Sequence, residues 1–421
     1  MIFETLKKTD LATRQRIRTE RTEAFIPELG EETVQALRNF YSIYDEGIYT
    51  WLFGLWDFEV GGFYYSNSAR DNEGFLPDVE STAQALRLIK GTGLLSALGD
   101  DATELPEWMK KRILSFVKGL QDPVDGYFYH PQWGKNIVDS RRGRDYSWAI
   151  SLLSELGSAP DYPTAVDHLR NKDCSVLPAH FRSVGAFEEY LHSLKEEKPA
   201  SYSFGNTIAS QSREIGAAGE EYTDLLIDFL TERQNKENGL WEVDVNIASV
   251  NGFMTISKLY EAFGKPIPNS DRALESTLSV ACNGEIPATV CQFYNPWLGM
   301  ARIVENARKH YGTETHGEFL NKIRGAAPLA VSNTARRMSR FKKDDGSFSY
   351  FPDRTSDVSQ RASVAVPYTN EGDVNASAVS SVGTLTTMHA ALGIENVHVF
   401  SKADSEAFFS LLESRRNERR L

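Results

Sequence analysis

The residues best equipped for chemistry lie in one short run. His130-Pro131-Gln132-Trp133-Gly134-Lys135-Asn136 is followed by Asp139-Ser140-Arg141-Arg142-Gly143-Arg144-Asp145-Tyr146. A planar guanidinium grips a carboxylate at two points. Arg141, Arg142 and Arg144 therefore suit an acidic substrate. Trp133 offers a ring for a sugar face or an apolar chain, and Asp145 a further polar contact. Elimination beside a uronate carboxylate needs a neutralising cation, a base for the acidified C–H and an acid for the leaving oxygen. Arg144 is read as the cation, and His130 and Tyr146 as the proton-transfer pair, with Tyr64, Tyr129 and Tyr368 in reserve. Hydrolysis needs two carboxyl groups across the bond instead. Asp78 and Glu80 near the start, with Glu371 and Asp373 near the end, are the acids on offer. Asp78 and Asp373 also stand where helix N-caps belong, just before Val79 and Val374. Asn206 and Arg213, in SFGNTIASQSREIG, could hold hydroxyls or a carboxylate, and Trp241 and Trp297 add aromatic contacts from two further turns.

Other chemistries find little purchase. The three cysteines, Cys174, Cys282 and Cys291, are odd in number and lack CxxC spacing, which speaks against a disulfide framework or zinc site. His168, His192, His310 and His389 show no ligand spacing, so no metal is expected. No GxGxxG or P-loop occurs, and no cofactor is expected. A net charge of −12 argues against nucleic acid, which needs a basic face. It leaves room for a local basic cluster and a small anionic or oligosaccharide substrate. The first 25 residues are charged and carry no apolar signal region, and no apolar run is long enough to span a membrane. Together with unpaired thiols this reads as a cytoplasmic protein.

The elements that must position these residues are repeated. WDFEVGGFYY, QDPVDGYFYH, QNKENGLWEV and KKDDGSFSYF each open with a polar turn closing on Gly62, Gly126, Gly239 or Gly346, followed by an aromatic residue. A polar loop follows, then a helix rich in small and apolar residues. Gly157, Gly264 and Gly393 then sit where a helix C-cap belongs. The second and third intervals between the opening glycines are nearly twice the first. Degenerate units are therefore expected near Leu177 and Gly284, giving six units of roughly 55 residues. Ile247, Val250 and Met254, like Val379, Val382, Leu385 and Leu392, recur at helical spacing. Other faces of these helices are also apolar, the mark of buried helices. FYY and SFSYF are expected as short rim strands. Hydrophobic residues make up 41% of the chain, enough for a large core.

The turns QNKENGLWE, QDPVDGYF and KKDDGSFSY resemble the repeats of terpenoid cyclases and protein prenyltransferases. Pro77 to Ala83 is similar to the acidic stretch of class II terpene cyclases, with Glu80 and Ser81 standing in place of its central Asp pair. Asp57 to Tyr64 resembles an entry common in toroid glycoside hydrolases and polysaccharide lyases. The resemblance implies an all-α (α/α)6 toroid, a six-hairpin barrel with short β-hairpins at the rim. We expect one domain over 1–421, with an N-terminal extension of about 1–30. The expected activity is cleavage of an acidic oligosaccharide, with β-elimination ahead of hydrolysis. The alternatives are an isoprenoid cyclase using Asp78 and Glu80 as acid, or a non-catalytic toroid binding a glycan or protein.

Overall fold

The computed structural model describes residues 20–99 and 101–419. In chain order the main helices are α1 (Glu31–Tyr41), α2 (Gly47–Gly54), α3 (Val79–Thr92), α4 (Glu107–Gly119), α5 (Asp139–Glu155), α6 (Val184–Glu197) and α7 (Ser201–Ser210). They continue with α8 (Glu220–Glu232), α9 (Ile247–Ala262), α10 (Ser270–Cys282), α11 (Cys291–His310) and α12 (Gly312–Met338). The last two are α13, made of Val374–Ala378 and Thr384–Leu392 joined by a π-helical turn Val379–Gly383, and α14 (Lys402–Glu418). Two two-residue hairpins complete the set: β1 (Trp56–Asp57) with β2 (Gly62–Phe63), and β3 (Val358–Ser359) with β4 (Ala362–Ser363), both antiparallel.

Six helices form the inner ring. α3 packs on α5, α5 on α7, α7 on α9, α9 on α11, α11 on α13, and α13 returns to α3. Alternating with them in sequence are outer helices, so the chain is an all-α (α/α)6 toroid with short hairpins at its rim. Small residues let the inner helices approach. A Cβ on Gly143 of α5 would stand 2.6 Å from the Ser210 carbonyl oxygen at the end of α7. The hydrophobic core fills the space between the rings. Within it the fully buried Trp297 of α11 donates its Nε1–H to Thr334 Oγ1 of α12 at 2.8 Å, so its polar edge is satisfied where its ring is packed.

Inner helices begin at one end of the barrel, and their caps are encoded locally. Asp78 accepts the Ser81 N–H at 2.9 Å, Asn246 the Ser249 N–H at 3.0 Å, and Asp373 the Ala376 N–H at 2.7 Å. Each satisfies a donor that the first helical turn leaves open. The preceding turns repeat as well: Asp122 Oδ1 accepts the N–H groups of Val124 and Asp125, and Asp57 Oδ1 those of Glu59 and Val60.

Several expectations need correction. In the first turn it is Gly61, not Gly62, that takes positive φ, at 85°. The segment from Leu177 does not enter an inner helix. It leads into the outer helix α6, and the third inner helix, α7, follows after three residues. SFSYF makes only an isolated bridge, Lys342 with Phe348, and the second hairpin lies further on at Val358–Ser363. Of the expected N-terminal extension, residues 1–19 lie outside the described residues. Within residues 20–30, Leu29 is buried and Arg21 donates to the His398 carbonyl at 3.1 Å.

Candidate functional site

The inner ring encloses a lumen of about 660 Å³ to which all six inner helices contribute, a size suited to a small ligand. Its wall follows helical spacing. α5 presents Arg144, Ser147, Trp148 and Ser151; α7 presents Tyr202, Asn206 and Ala209; α9 presents Met254, Thr255 and Lys258. Gln84 and Arg87 come from α3, Tyr294 and Asn295 from α11, and Asn375 from α13. Tyr65, Tyr350, Ser359 and Gln360 add loop groups.

The charge on this wall is one-sided. Its charged residues are Arg87, Arg144, Arg213 and Lys258, and among the described residues no Asp or Glu lines it. Arg87 donates to Gln84 Oε1 at 3.2 Å and lies 5.5 Å from the Trp148 ring centre. Arg213 donates to Ser151 Oγ at 3.1 Å, and Lys258 Nζ to the Ala209 carbonyl at 3.1 Å. Burial, reinforced by the arginines Arg302, Arg144 and Arg213, lowers the Lys258 amine to about 8. Burial raises the Tyr202 phenol to about 12, and Tyr294 upward as well. These phenols are held protonated, ready to donate.

Behind the wall lies a buried ionic cluster. Arg144 Nε donates to Glu80 Oε1 at 2.8 Å, and its Nη2 makes a second, shorter contact there. Glu80 Oε2 accepts from Arg141 Nη1 and from Ser359 Oγ, both at 3.2 Å. Arg141, itself fully buried, also pairs with Asp78 at 3.3 Å and Asp145 at 2.8 Å. Its guanidinium sits 4.5 Å from the centre of the Trp133 ring, on which His130 stacks at 4.0 Å. Burial opposes ionisation of Glu80, but Arg144 and Arg141 outweigh it and hold the carboxyl below its ordinary range. For Asp145 burial wins over Arg141, and the carboxyl rises to about 6. His130 is pushed down, chiefly by burial, and contacts the Pro77 carbonyl through Nε2 at 2.9 Å.

The β3–β4 hairpin leans over the lumen. Its turn residues Gln360 and Arg361 both take positive φ, 49° and 66°, the backbone of a type I′ turn without the usual glycine. Gln360 Oε1 accepts from Asn206 Nδ2 at 3.2 Å, and Ser359 holds Glu80, so the hairpin tip bridges α3 and α7.

The residues singled out from sequence are therefore dispersed. Arg144, Asn206 and Arg213 line the lumen. Asp78, Glu80, Arg141, Asp145, Trp133 and His130 belong to the cluster behind it. Tyr146 is buried on another side of α5, where its oxygen accepts the Val166 N–H at 3.4 Å. Arg142 pairs with Asp139 at 2.6 Å and faces the Tyr127 ring. Tyr64 lies in a separate rim cleft with Phe53, Trp56, Phe58 and Arg415, and donates to Asp57 at 2.9 Å. Tyr129 likewise donates to Asp125 at 3.0 Å. Trp241 is buried and donates to the Leu230 carbonyl at 2.8 Å, while Trp297 is core. Tyr368 is 84% exposed. Glu371 accepts the Ser68 N–H at 2.9 Å. Asp373 is fully buried, capping α13 and accepting from Tyr350 N and Thr355 Oγ1 at 2.9 Å each. The early and late units do meet, at the Ser66–Asp373 bridge, but neither pair of carboxyl groups faces the lumen.

Tyr294, of the fifth turn, is open to a substrate contact from sequence and does line the lumen, whereas Arg87, Trp148, Tyr202, Lys258 and Tyr350 carry no such mark in the sequence. For those on helices the signal is a polar stripe at i, i+3, i+4 and i+7 on an otherwise apolar helix: Arg144, Ser147, Trp148 and Ser151 are the clearest case.

Among the described residues, no group of three or more His, Cys, Asp or Glu could hold a metal ion, and no helix is long and apolar enough to cross a membrane. No family model matches the chain, and no curated protein matches its sequence. Among solved structures it is similar to a glycoside hydrolase family 15 glucoamylase from Hypocrea jecorina, at 12% identity and a TM-score of 0.37, covering 91% of this chain and 74% of that one.

Proposed function

We propose that the lumen binds a uronate-bearing oligosaccharide and cleaves it by β-elimination. The observation that carries this reading is the wall itself: four cations, several phenols and, among the described residues, no lining carboxylate. Cations recognise the uronate and make its neighbouring C–H acidic. Tyrosine and tryptophan faces suit sugar rings, and Asn206, Asn375, Ser147 and Gln84 suit hydroxyls. In this reading Arg213 and Arg144 hold the carboxylate, Lys258 takes the proton, and Tyr202 protonates the leaving oxygen. A two-carboxylate hydrolysis finds less support, since Asp78, Glu80, Glu371 and Asp373 are all engaged outside the lumen. The same engagement weighs against a cyclase that would use Asp78 and Glu80 as acid. The reading takes the chain as one domain, and its three unbonded cysteines fit a reducing, cytoplasmic setting.

The test is incubation with a panel of uronate-containing oligosaccharides, followed by ultraviolet absorbance of the unsaturated product. Elimination yields that chromophore. Shorter sugars without it would mean hydrolysis, and saturable binding with no product would mean a non-catalytic receptor.

A further inference from the structure

We propose that Lys258 is a nucleophilic site that takes a small anionic aldehyde or ketone as an imine inside the lumen. This goes beyond the elimination reading and does not depend on it, because its test counts covalent adducts rather than turnover.

Lys258 is the lysine of the lumen wall, one helical turn beyond Met254 and Thr255 on the same face of α9. Its Nζ donates to a backbone carbonyl, Ala209 at 3.1 Å, and among the described residues no carboxylate pairs with it. The charged groups around it are mostly of its own sign. Arg144 approaches from α5, Arg213 from the segment after α7, and Arg302 from α11, with Arg302 itself tied to Glu261 at 2.9 Å. Glu214 opposes them, more weakly than the arginines act. An ammonium desolvated among cations gives up its proton readily, one of the ways a lysine becomes a nucleophile. The amine is accordingly lowered to about 8. The same arginines that disfavour its charge attract an anion, so a ligand carrying both an acidic group and a carbonyl is drawn to the place where the amine can attack.

The unprotonated amine adds to the carbonyl carbon, a proton moves from the nitrogen to the oxygen, and loss of water leaves a neutral imine, which takes up a proton from solvent. Borohydride reduction converts that bond to a stable secondary amine.

The probe is pyridoxal 5′-phosphate, a phosphate-bearing aldehyde, with cyanoborohydride added and the full chain mapped by peptide mass spectrometry. Lys258 should be labelled at least about tenfold faster than the exposed Lys236, with a rate rising through pH 8 rather than through the ordinary lysine range near 10.5. Lys258→Arg, which keeps the cation, should fold with an unchanged circular dichroism spectrum and lose the fast adduct. Arg213→Gln should slow labelling by the phosphate-bearing probe more than labelling by neutral pyridoxal, because it removes the anion's partner as well as one of the cations around the amine. Labelling of Lys258 no faster than Lys236, or a fast lumen adduct surviving in Lys258→Arg, would overturn the proposal.

Discussion

Gly346 sits directly against the backbone of Ile48: a Cβ at Gly346 would stand 2.5 Å from the Ile48 nitrogen. The last repeat turn is thereby seated on α2, with Lys342 donating to the Ile43 carbonyl at 2.6 Å and pairing with Asp45 beside it. Gly61 makes the equivalent contact on Arg112 of α4, and Gly239 on Asn269 and Ala273 at the start of α10. Each of these turn glycines rests on the next outer element, and the contact of Gly346 joins the end of the series to its beginning.

Replacing Gly346 by alanine should therefore cost more than backbone strain. A non-glycine residue at positive φ costs about 1–2 kcal/mol, and this position adds a backbone clash. Gly264→Ala is the control, because Gly264 has φ of 63° with open space around it. In urea unfolding, Gly346→Ala should lose about 3 kcal/mol or more and Gly264→Ala about 1. Equal losses would mean that the seat on Ile48 contributes nothing.

Glu80 and Arg144 should be strongly coupled. Removing one partner of a buried ion pair leaves an uncompensated charge and costs about 3–5 kcal/mol. Arg144→Met is expected near the lower end, since Arg141 still faces Glu80. The double variant with Glu80→Gln should lose less than the two single losses combined, by about 1–3 kcal/mol. A double-mutant cycle that is additive would contradict the geometry.

Glu214 should make the fold less stable as pH rises. It is fully buried with neither carboxylate oxygen hydrogen-bonded, and burial raises it from 4.5 to about 7. Between those values the folded chain binds more protons than the unfolded one, so stability falls with rising pH across that window and levels off above it. The loss is about 3 kcal/mol at most. Glu214→Gln should remove this group's share, making the variant the more stable form at pH 8 and nearly equal to the parent at pH 4. Asp373, raised to about 7 by burial against its hydrogen bonds, adds a fall of the same sign in both proteins. Stability curves of the two that run parallel from pH 4 to 8 would refute the assignment.

The lumen and its surroundings should separate cleanly under substitution. Arg87→Gln and Arg213→Gln should each weaken binding of an acidic oligosaccharide roughly tenfold in calorimetry, and less so at high salt, because Arg213 is exposed. Tyr202→Phe should lower kcat by about a hundredfold or more with KM little changed, as expected for a lost proton donor. Tyr146→Phe should leave both constants nearly unaltered, since Tyr146 lies outside the lumen wall. Loss of activity in Tyr146→Phe alone would reverse these roles.

Much of the architecture was written in local signals. The Asp and Asn turns, the caps at Asp78 and Asp373, and the C-terminal glycines Gly157, Gly264 and Gly393, all at positive φ, depend on a few adjacent residues. A sequence displays such dependences directly. The period of the units follows from the same signals. The third unit departs from that period: α7 follows α6 after three residues, with no turn glycine to mark it.

What the sequence alone determined was the list of caps and turns and a dense basic run after Gly134. What only the tertiary structure decided was the direction each charge faces. Arg141, Arg142 and Arg144 lie within four residues on α5, yet helical rotation sends Arg141 into a buried ion cluster, Arg142 toward Tyr127 and Arg144 to the lumen. Lys258 and Arg87 acquire their setting only when six helices close around a common space, because the groups that perturb Lys258 come from different helices far apart in the chain.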